Sequence, residues 1–278
     1  MIIIDKVEDL NLHDSITCGQ IFRFSENEDK SYTVVLSDRV INIKQDKDKL
    51  IVKSNNYDNL ENVIIKYLDL KTDYNKINKI LLKSDNMLED AIKSSKGLKM
   101  IRQEPFEAVI EYIISQNNRV YAIRNSMNLI AQKYGDKIEF EGEEYYLFPN
   151  AEKLKDVTIE EFRQFKVGFR DKYIYNMVQA INKGEINLNE IHNLETEKAM
   201  EKLMANIGVG PKVASCILLF AYGRFDVFPI DTWVKKYMFD LYGINSQKEI
   251  AKIASEKYGK YCGLAIQYMY HSKRNSNG

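Results

Sequence analysis

The chain has 278 residues and a mass of 32.4 kDa, and its 40 basic and 40 acidic residues cancel to a formal net charge of zero. No apolar run approaches the roughly 18 residues that a membrane-spanning helix needs. There is no basic tail, so composition alone gives no support for nucleic-acid binding. The amino-terminal residues lack the basic and apolar regions of a signal peptide, so we expect a cytoplasmic protein. No coiled coil or repeated face is visible, and we therefore expect a monomer.

The chain shows no spacing that is typical of a metal site. Its three cysteines, Cys18, Cys216 and Cys262, lie far apart and form no CxxC pair. This excludes a zinc ribbon, and a four-cysteine iron–sulfur cluster would lack one ligand. The three histidines form no metal-binding spacing either. We therefore expect neither a metal nor another cofactor.

The coarse organisation is a small sheet domain followed by a helical one. Short runs rich in β-branched and aromatic residues predict antiparallel strands over residues 15–24, 31–36, 39–44 and 50–53. Helical spacing begins near residue 60 and dominates from about residue 87. The later predicted helices cover 159–165, 173–181, 196–207, 212–222, 231–241, 247–258 and 263–271. The chain is thus predicted to be mainly α, with an α+β domain over 1–95, a helical domain over 96–271 and a disordered tail over 272–278.

The segment 203–216 (LMANIGVGPKVASC) predicts two helices joined by a tight Gly-Val-Gly turn. Gly208 and Gly210 permit positive φ, and Pro211 suits the first turn of the second helix. We expect Val209 to point inward and the glycine N–H groups to point outward. Outward N–H groups at a helix N-terminus bind phosphate without any net positive charge. The alternative is an ordinary turn between two helices.

Two residues near this turn carry functional groups that suit attack on a sugar. Lys212 lies in the first turn of the second helix, and its amine is nucleophilic when neutral. Asp231 precedes a later helix, where a carboxylate could stabilise an oxocarbenium-like centre at C1′. The alternatives are a solvent-exposed lysine and an N-cap aspartate worth about 1 kcal/mol.

The pattern GVGPK at 208–212 followed by PID at 229–231 resembles the helix-hairpin-helix (HhH-GPD) glycosylase superfamily of DNA repair. The missing cysteine quartet separates the chain from the iron–sulfur branch, and the lysine separates it from the monofunctional alkylbase glycosylases. Five further segments resemble the eukaryotic-type 8-oxoguanine DNA glycosylase/lyase branch: 18–24 (CGQIFRF), 102–107 (RQEPFE), 115–118 (SQNN), 167–170 (VGFR) and 261–265 (YCGLA). The resemblance implies an antiparallel, TBP-like sheet domain followed by helical glycosylase domains.

The resemblance also implies a role for each matching residue. The expected activity is excision of 8-oxoguanine from double-stranded DNA, followed by β-elimination that nicks the strand. The lesion base would first leave the duplex. Lys212 matches the Schiff-base nucleophile and Asp231 the catalytic carboxylate; Gly19, Cys216 and Tyr270 match the base pocket; Asn117, Phe169 and Arg170 match the residues that fill the gap and contact the orphaned base; and Gly208, Gly210 and Val213 match the backbone contacts to phosphates.

Three positions depart from the pattern of the family. Ala122 stands where the family has an arginine that reads the opposite cytosine, so we expect a weaker preference for cytosine. Ile266 stands where the family has a glutamine that reads the base, and Gln267 is its neighbour, about 100° around the helix. Trp233 replaces a phosphate-contacting histidine, although its indole N–H can still donate.

Two other functions stay open from the sequence. One is a glycosylase for another damaged purine, and the other is a non-catalytic helix-hairpin-helix module that only binds DNA. The second needs the hairpin but neither Lys212 nor Asp231. Borohydride trapping of a covalent protein–DNA adduct would separate these classes.

Overall fold

The computed structural model describes residues 1–7 and 9–275. Near the amino terminus, five strands form one antiparallel sheet in the order β1-β5-β4-β3-β2. The register pairs Val34 with Ile41 and Ile43 with Val52, which places apolar side chains on one face. The strands are β1 (Ile2–Ile4), β2 (Phe24–Glu26), β3 (Tyr32–Val35), β4 (Val40–Asp46) and β5 (Lys49–Ser54). The antiparallel sheet is confirmed, and β3, β4 and β5 correspond to three of the four predicted strands.

The strand predicted over residues 15–24 is wrong. Helix α1 (Leu12–Thr17) occupies its first part, and only Phe24 belongs to a strand. The side chain of Asn11 caps α1 by accepting a hydrogen bond from the N–H of Asp14, a signal that outweighs the β-branched residues in the run. Gly19 therefore lies in a turn after a helix, with φ at +91°, and not at a strand bulge.

Elsewhere, the described residues form helices joined by loops, together with one hairpin of two strands. The helices are α2 (Leu60–Tyr67), α3 (Tyr74–Ser84), α4 (Glu89–Ser94), α5 (Pro105–Ile114), α6 (Val120–Tyr134), α7 (Ile159–Gln164), α8 (Asp171–Asn182), α9 (Leu188–Ile191), α10 (Thr196–Met204), α11 (Pro211–Phe220), α12 (Thr232–Tyr242), α13 (Gln247–Tyr258) and α14 (Cys262–Asn275). The hairpin consists of β6 (Lys137–Phe140) and β7 (Glu143–Tyr146), and the sequence analysis missed both of its strands and the short helix α9.

Two ends of the predicted helices also need correction. Helix α10 ends at Met204, three residues before the predicted end. The turn toward Gly208 begins at Ala205, before the apolar stripe ends at Ile207. Helix α14 extends to Asn275, so residues 272–275 of the predicted disordered tail are helical. The last three residues of that tail lie outside the described residues. Among residues 1–7 and 9–275, no helix is long and apolar enough to cross a membrane.

Two apolar cores divide the molecule. The first lies between the sheet, α1 and α2, with Ile41, Leu50 and Ile64 fully buried. The second is larger and contains buried residues of most of the helices, including Leu81 of α3 and Ala91 of α4. Helices α3 and α4 thus pack with the helical core, although they precede the predicted domain boundary at residue 95.

Candidate active site

The turn between α10 and α11 needs glycine at one defined position. Gly208 has φ at +89°, and a Cβ built there would come within 2.1 Å of Cγ of Tyr173. Gly210 has φ at −89° and open space where a Cβ would lie, so only Gly208 uses the positive φ that the sequence allowed at both. Val209 is buried, as expected. The tight turn therefore depends on Gly208 against the ring of Tyr173.

The amino terminus of α11 is open to an anion. Gly210 is its N-cap, Pro211 occupies its first turn, and no side chain of the described residues caps it. The first-turn N–H groups, including those of Lys212 and Val213, therefore lack an intrahelical partner. Such a terminus binds phosphate through its N–H groups and the helix dipole.

A loop and a short turn support the glycine turn from one side. Gln116 donates from Nε2 to the carbonyl oxygen of Gly208 at 2.9 Å. Arg170 is buried and donates to the carbonyl oxygens of Val167, Gln116 and Asn117. Asn117 itself is exposed, with φ at +47°. The predicted contact residues Asn117 and Arg170 thus lie together, beside the glycine turn.

Apolar side chains project from the same region into solvent. Phe169 is 57% exposed, and its ring meets Tyr173 edge-on and the guanidinium of Arg170 at 4.4 Å. Ile207, on the glycine turn, and Trp233, in the first turn of α12, are also exposed. Exposed apolar side chains beside a phosphate-binding terminus suit insertion between bases.

Lys212 and Asp231 both lie within electrostatic reach of the thiol of Cys216. Burial raises the pKa of Cys216; the Lys212 amine opposes this shift, and the Asp231 carboxylate adds to it. The amine also lies 5.9 Å from the ring centroid of Tyr112. The two residues that the sequence analysis selected, about twenty positions apart, are therefore brought to one site.

Asp231 is at the same time an N-cap. Its Oδ1 accepts a hydrogen bond from the N–H of Val234 at 2.8 Å. The N-cap alternative for Asp231 is therefore correct. It is compatible with a role in chemistry because Oδ2, the second carboxylate oxygen, is not used by the cap. The cap holds the carboxylate at the start of α12 with a defined direction.

Helix α14 and the turn after α1 form the opposite wall of the site. A Cβ built at Gly19 would lie 3.4 Å from the hydroxyl of Tyr270 and 3.3 Å from Nη1 of Arg274. Burial raises the pKa of Tyr270, and Asp231 acts in the same direction, so the two residues lie within electrostatic reach. The phenol is therefore neutral at physiological pH.

Ile266 and Gln267 occupy different surroundings on α14. Gln267 is buried and donates from Nε2 to Sγ of Cys18 at 3.3 Å, next to Gly19. Ile266 is buried in the helical core. The amide of Gln267 is thus directed at the turn that carries Gly19.

Ala122 lies in the first turn of α6, partly buried, and its methyl group offers no hydrogen-bond donor. Within the described part of the chain, no group of three or more His, Cys, Asp or Glu side chains is placed to hold a metal ion.

Comparison with known proteins identifies the family. Residues 1–109 match the family described as 8-oxoguanine DNA glycosylase, N-terminal domain. Residues 110–260 match the HhH-GPD superfamily base excision DNA repair proteins, which is more than half of the chain. The chain belongs to the HhH-GPD superfamily.

Individual relatives agree with this assignment. The N-glycosylase/DNA lyase OGG1 of Arabidopsis thaliana is 30% identical over 201 aligned residues, and the match covers 68% of this chain but only 55% of that relative. The structure of MBOgg1 in complex with a low affinity DNA ligand is 37% identical, with a TM-score of 0.95, and the match covers 99% of this chain and 96% of that one. The Clostridium acetobutylicum 8-oxoguanine glycosylase/lyase, in complex with DNA containing cytosine opposite 8-oxoguanine, is also 37% identical, with a TM-score of 0.94 and the same coverage.

Within this HhH-GPD protein, several supporting residues were missed from the sequence. Tyr112 donates its hydroxyl to the carbonyl oxygen of Gln20 at 3.0 Å and stacks on Phe220 with 5.4 Å between ring centroids. Gln116 and Tyr173 hold the glycine turn. Nothing local marked Tyr173, whose partner lies 35 positions further along the chain.

Proposed function

We propose that this chain is a bifunctional DNA glycosylase that excises 8-oxoguanine and then cleaves the strand at the abasic site. The observation that carries the proposal is the placement of Lys212 and Asp231. Both charges influence the pKa of the Cys216 thiol. Lys212 also lies in the first turn of α11, a helix without a side-chain cap, whose amino terminus suits a phosphate. A binding module needs the helix end but not the amine and the carboxylate beside it.

The chemistry follows from these two groups. The neutral Nζ of Lys212 forms a bond to C1′ of the sugar while the bond from C1′ to the base breaks and its electron pair leaves with the base. The Asp231 carboxylate stabilises the positive charge that develops on the sugar. Opening of the sugar ring then gives an imine between Lys212 and C1′, and loss of the C2′ proton eliminates the 3′ phosphate.

The pocket for the base consists of Gly19, Cys216, Tyr270 and Gln267. A carbonyl at Gly19 would accept a hydrogen bond from N7–H of 8-oxoguanine but repel the N7 lone pair of guanine, a mismatch worth about 1–3 kcal/mol. Burial raises the pKa of Cys216, so a neutral, polarizable sulfur faces the site. Gln267, directed at the Gly19 turn, is a better candidate than Ile266 for reading the base edge.

We also propose a relaxed preference for the base opposite the lesion. Ala122 has no donor to read cytosine. Arg170, the second expected reader, directs its donors to three backbone carbonyl oxygens in the DNA-free protein. These carbonyl oxygens accept four of the five hydrogen bonds that Arg170 can donate, so a bidentate contact from Arg170 to a base would compete with hydrogen bonds that hold the Asn117 loop. The DNA phosphates are bound by the N–H groups of Gly210, Lys212 and Val213, and Trp233 adds an indole donor beside them.

The test is borohydride trapping on a duplex that contains 8-oxoguanine opposite cytosine. Wild type and the control Lys252→Gln, at an exposed lysine on α13 that pairs with Glu256, should both give a covalent adduct. Lys212→Gln should give none. Base release without trapping would indicate a monofunctional glycosylase. Duplex binding with neither release nor trapping would indicate a DNA-binding module. Excision of alkylated purines instead of 8-oxoguanine would contradict the proposal that 8-oxoguanine is the substrate.

A further inference from the structure

Helix α14 is fastened to the turn that carries Gly19 by two side chains. Arg274 donates from Nη1 to the carbonyl oxygen of Thr17 at 3.1 Å, two residues before the glycine. Gln267, two turns earlier on the same helix, donates to Sγ of Cys18 at 3.3 Å, one residue before it. These contacts join positions 249 and 257 residues apart in the chain. Helix α14 therefore holds Thr17, the last residue of α1, and Cys18, which follows it, through these two side chains.

A third contact, deeper in the protein, fixes α14 against α1. His271 is 2% exposed and lies between two polar partners. Its Nδ1 is 3.0 Å from Oγ of Ser95, and its Nε2 is 3.5 Å from Oδ1 of Asp14. Asp14 belongs to α1, and its carbonyl oxygen accepts the N–H of Cys18. His271 thus contacts the side chain of Asp14, and the backbone of Asp14 is hydrogen-bonded to Cys18, the residue that precedes Gly19.

On its other side, Gly19 is followed by Gln20, whose carbonyl oxygen accepts hydrogen bonds from Tyr112 and Gln103, so the α14 contacts supply the restraint on the side of Thr17 and Cys18. With φ at +91° and no Cβ, the glycine has more conformational freedom than any other residue type. Nη1 of Arg274 and the Tyr270 hydroxyl lie 3.3 and 3.4 Å from the position a Cβ would take, so they pack directly on its Cα. A carbonyl discriminates between two bases only when its direction is held within narrow limits.

We propose that Arg274 and His271 are positioning residues that set the Gly19 carbonyl for recognition of the damaged base, a role that rests on the proposed function. They act through Thr17 and Asp14. Lys212 and Asp231 belong to α11 and α12, and cleavage of a preformed abasic site involves no base. Loss of the α14 contacts therefore reduces base excision selectively and leaves strand cleavage at an abasic site intact.

The experiment compares these two activities in the full chain. Single-turnover excision is measured on an 8-oxoguanine duplex, and strand cleavage on a duplex with a preformed abasic site. Arg274→Ala should slow excision about 10- to 100-fold, the range expected for a misplaced recognition group, and change cleavage less than about twofold. Arg274→Lys, which keeps one donor for Thr17, should recover part of the excision rate. The control Lys252→Ala removes a surface cation from α13 and should change neither activity.

His271→Gln supplies an independent variant, because it changes the buried contacts of α14 with Ser95 and Asp14 and leaves Arg274 in place. It should also lose excision more than cleavage, with folding checked by thermal unfolding. The proposal is wrong if Arg274→Ala changes neither activity, or if both activities fall together in that exposed variant. If wild type cleaves the abasic duplex but releases no 8-oxoguanine, the proposed substrate is wrong, and that outcome is read from wild type alone.

Discussion

The two walls of the candidate site are encoded in different ways. The wall with the proposed nucleophile comes from the segment between Gly208 and Asp231, and the turn and helix starts in it have local signals, although Tyr173 and Gln116 support the turn from elsewhere in the chain. Gly208 makes the turn, Gly210 and Pro211 start α11, and Asp231 starts α12. The opposite wall joins the end of α1 to α14, and its Gln267–Cys18 contact spans 249 residues. The proposed catalytic groups thus lie at helix starts with local signals, whereas the proposed base pocket depends on packing between distant parts of the chain.

The largest effect should come from a substitution that separates the two functions of Asp231. Asp231→Asn keeps an oxygen that accepts from Val234, and asparagine is as good an N-cap as aspartate. It removes the charge that would stabilise the sugar cation, so excision should fall about 10²- to 10³-fold with little change in thermal unfolding. Asp231→Ala should lose activity and also about 1 kcal/mol of stability. Equal activity of wild type and Asp231→Asn would leave Asp231 as an N-cap only.

A second substitution tests the local wall through its turn. Gly208→Ala combines positive φ with a contact of 2.1 Å to the Tyr173 ring, so it should lower the free energy of unfolding by about 2–4 kcal/mol. Gly210→Ala is the matched control, because its φ is −89° and the space around it is open. It should change stability by less than about 0.5 kcal/mol. Urea unfolding of both variants measures the difference, and similar losses would mean that the turn does not depend on Tyr173.

The sequence predicted the local wall much better than the distant one. A Gly-Val-Gly turn, a proline at a helix start and an N-cap aspartate act within four residues, so pattern and structure agree there. The run 15–24 was assigned to a strand because of its β-branched and aromatic residues, and the cap by Asn11 was overlooked. The direction of Gln267 could not be predicted, since the rotation of α14 follows from its packing against α4 and α12. The hairpin β6–β7 was missed because half of its side chains are charged and most are at least partly exposed.

A third prediction concerns the base opposite the lesion, which neither wall contacts. Ala122→Arg should restore a donor pair in the first turn of α6 and favour cytosine by about 1–3 kcal/mol. Single-turnover excision from duplexes with C, A, G or T opposite 8-oxoguanine measures the effect. Wild type should cut all four within about tenfold, which corresponds to about 1.4 kcal/mol. A strong preference for cytosine in wild type would mean that Arg170 leaves its carbonyl partners on binding and reads the base.

The smallest effect should come from the far end of α12, where the helix of Asp231 is held by contacts over long distances in the chain. Asp85, buried after α3, accepts hydrogen bonds from the hydroxyls of Tyr242 and Tyr258, and Lys257 lies 3.3 Å from its carboxylate. Burial acts to raise the pKa of Asp85, but these hydrogen bonds and the Lys257 charge outweigh it and hold its pKa below the ordinary value.

A lowered pKa in the folded state means that the charged carboxylate stabilises the fold above about pH 4, the pKa of an unfolded aspartate. That stabilisation is lost as the pH falls through the folded pKa. Asp85→Asn keeps the shape but weakens charge-assisted hydrogen bonds to neutral ones, so it should cost about 1 kcal/mol at pH 7. The difference from wild type should shrink below about pH 4, as measured by urea unfolding across about pH 3–7. A difference that does not depend on pH would assign the loss to packing. If Asp85→Asn leaves the excision rate unchanged while it lowers stability, the local N-cap at Asp231 suffices to place the carboxylate even when the distant end of its helix is loosened.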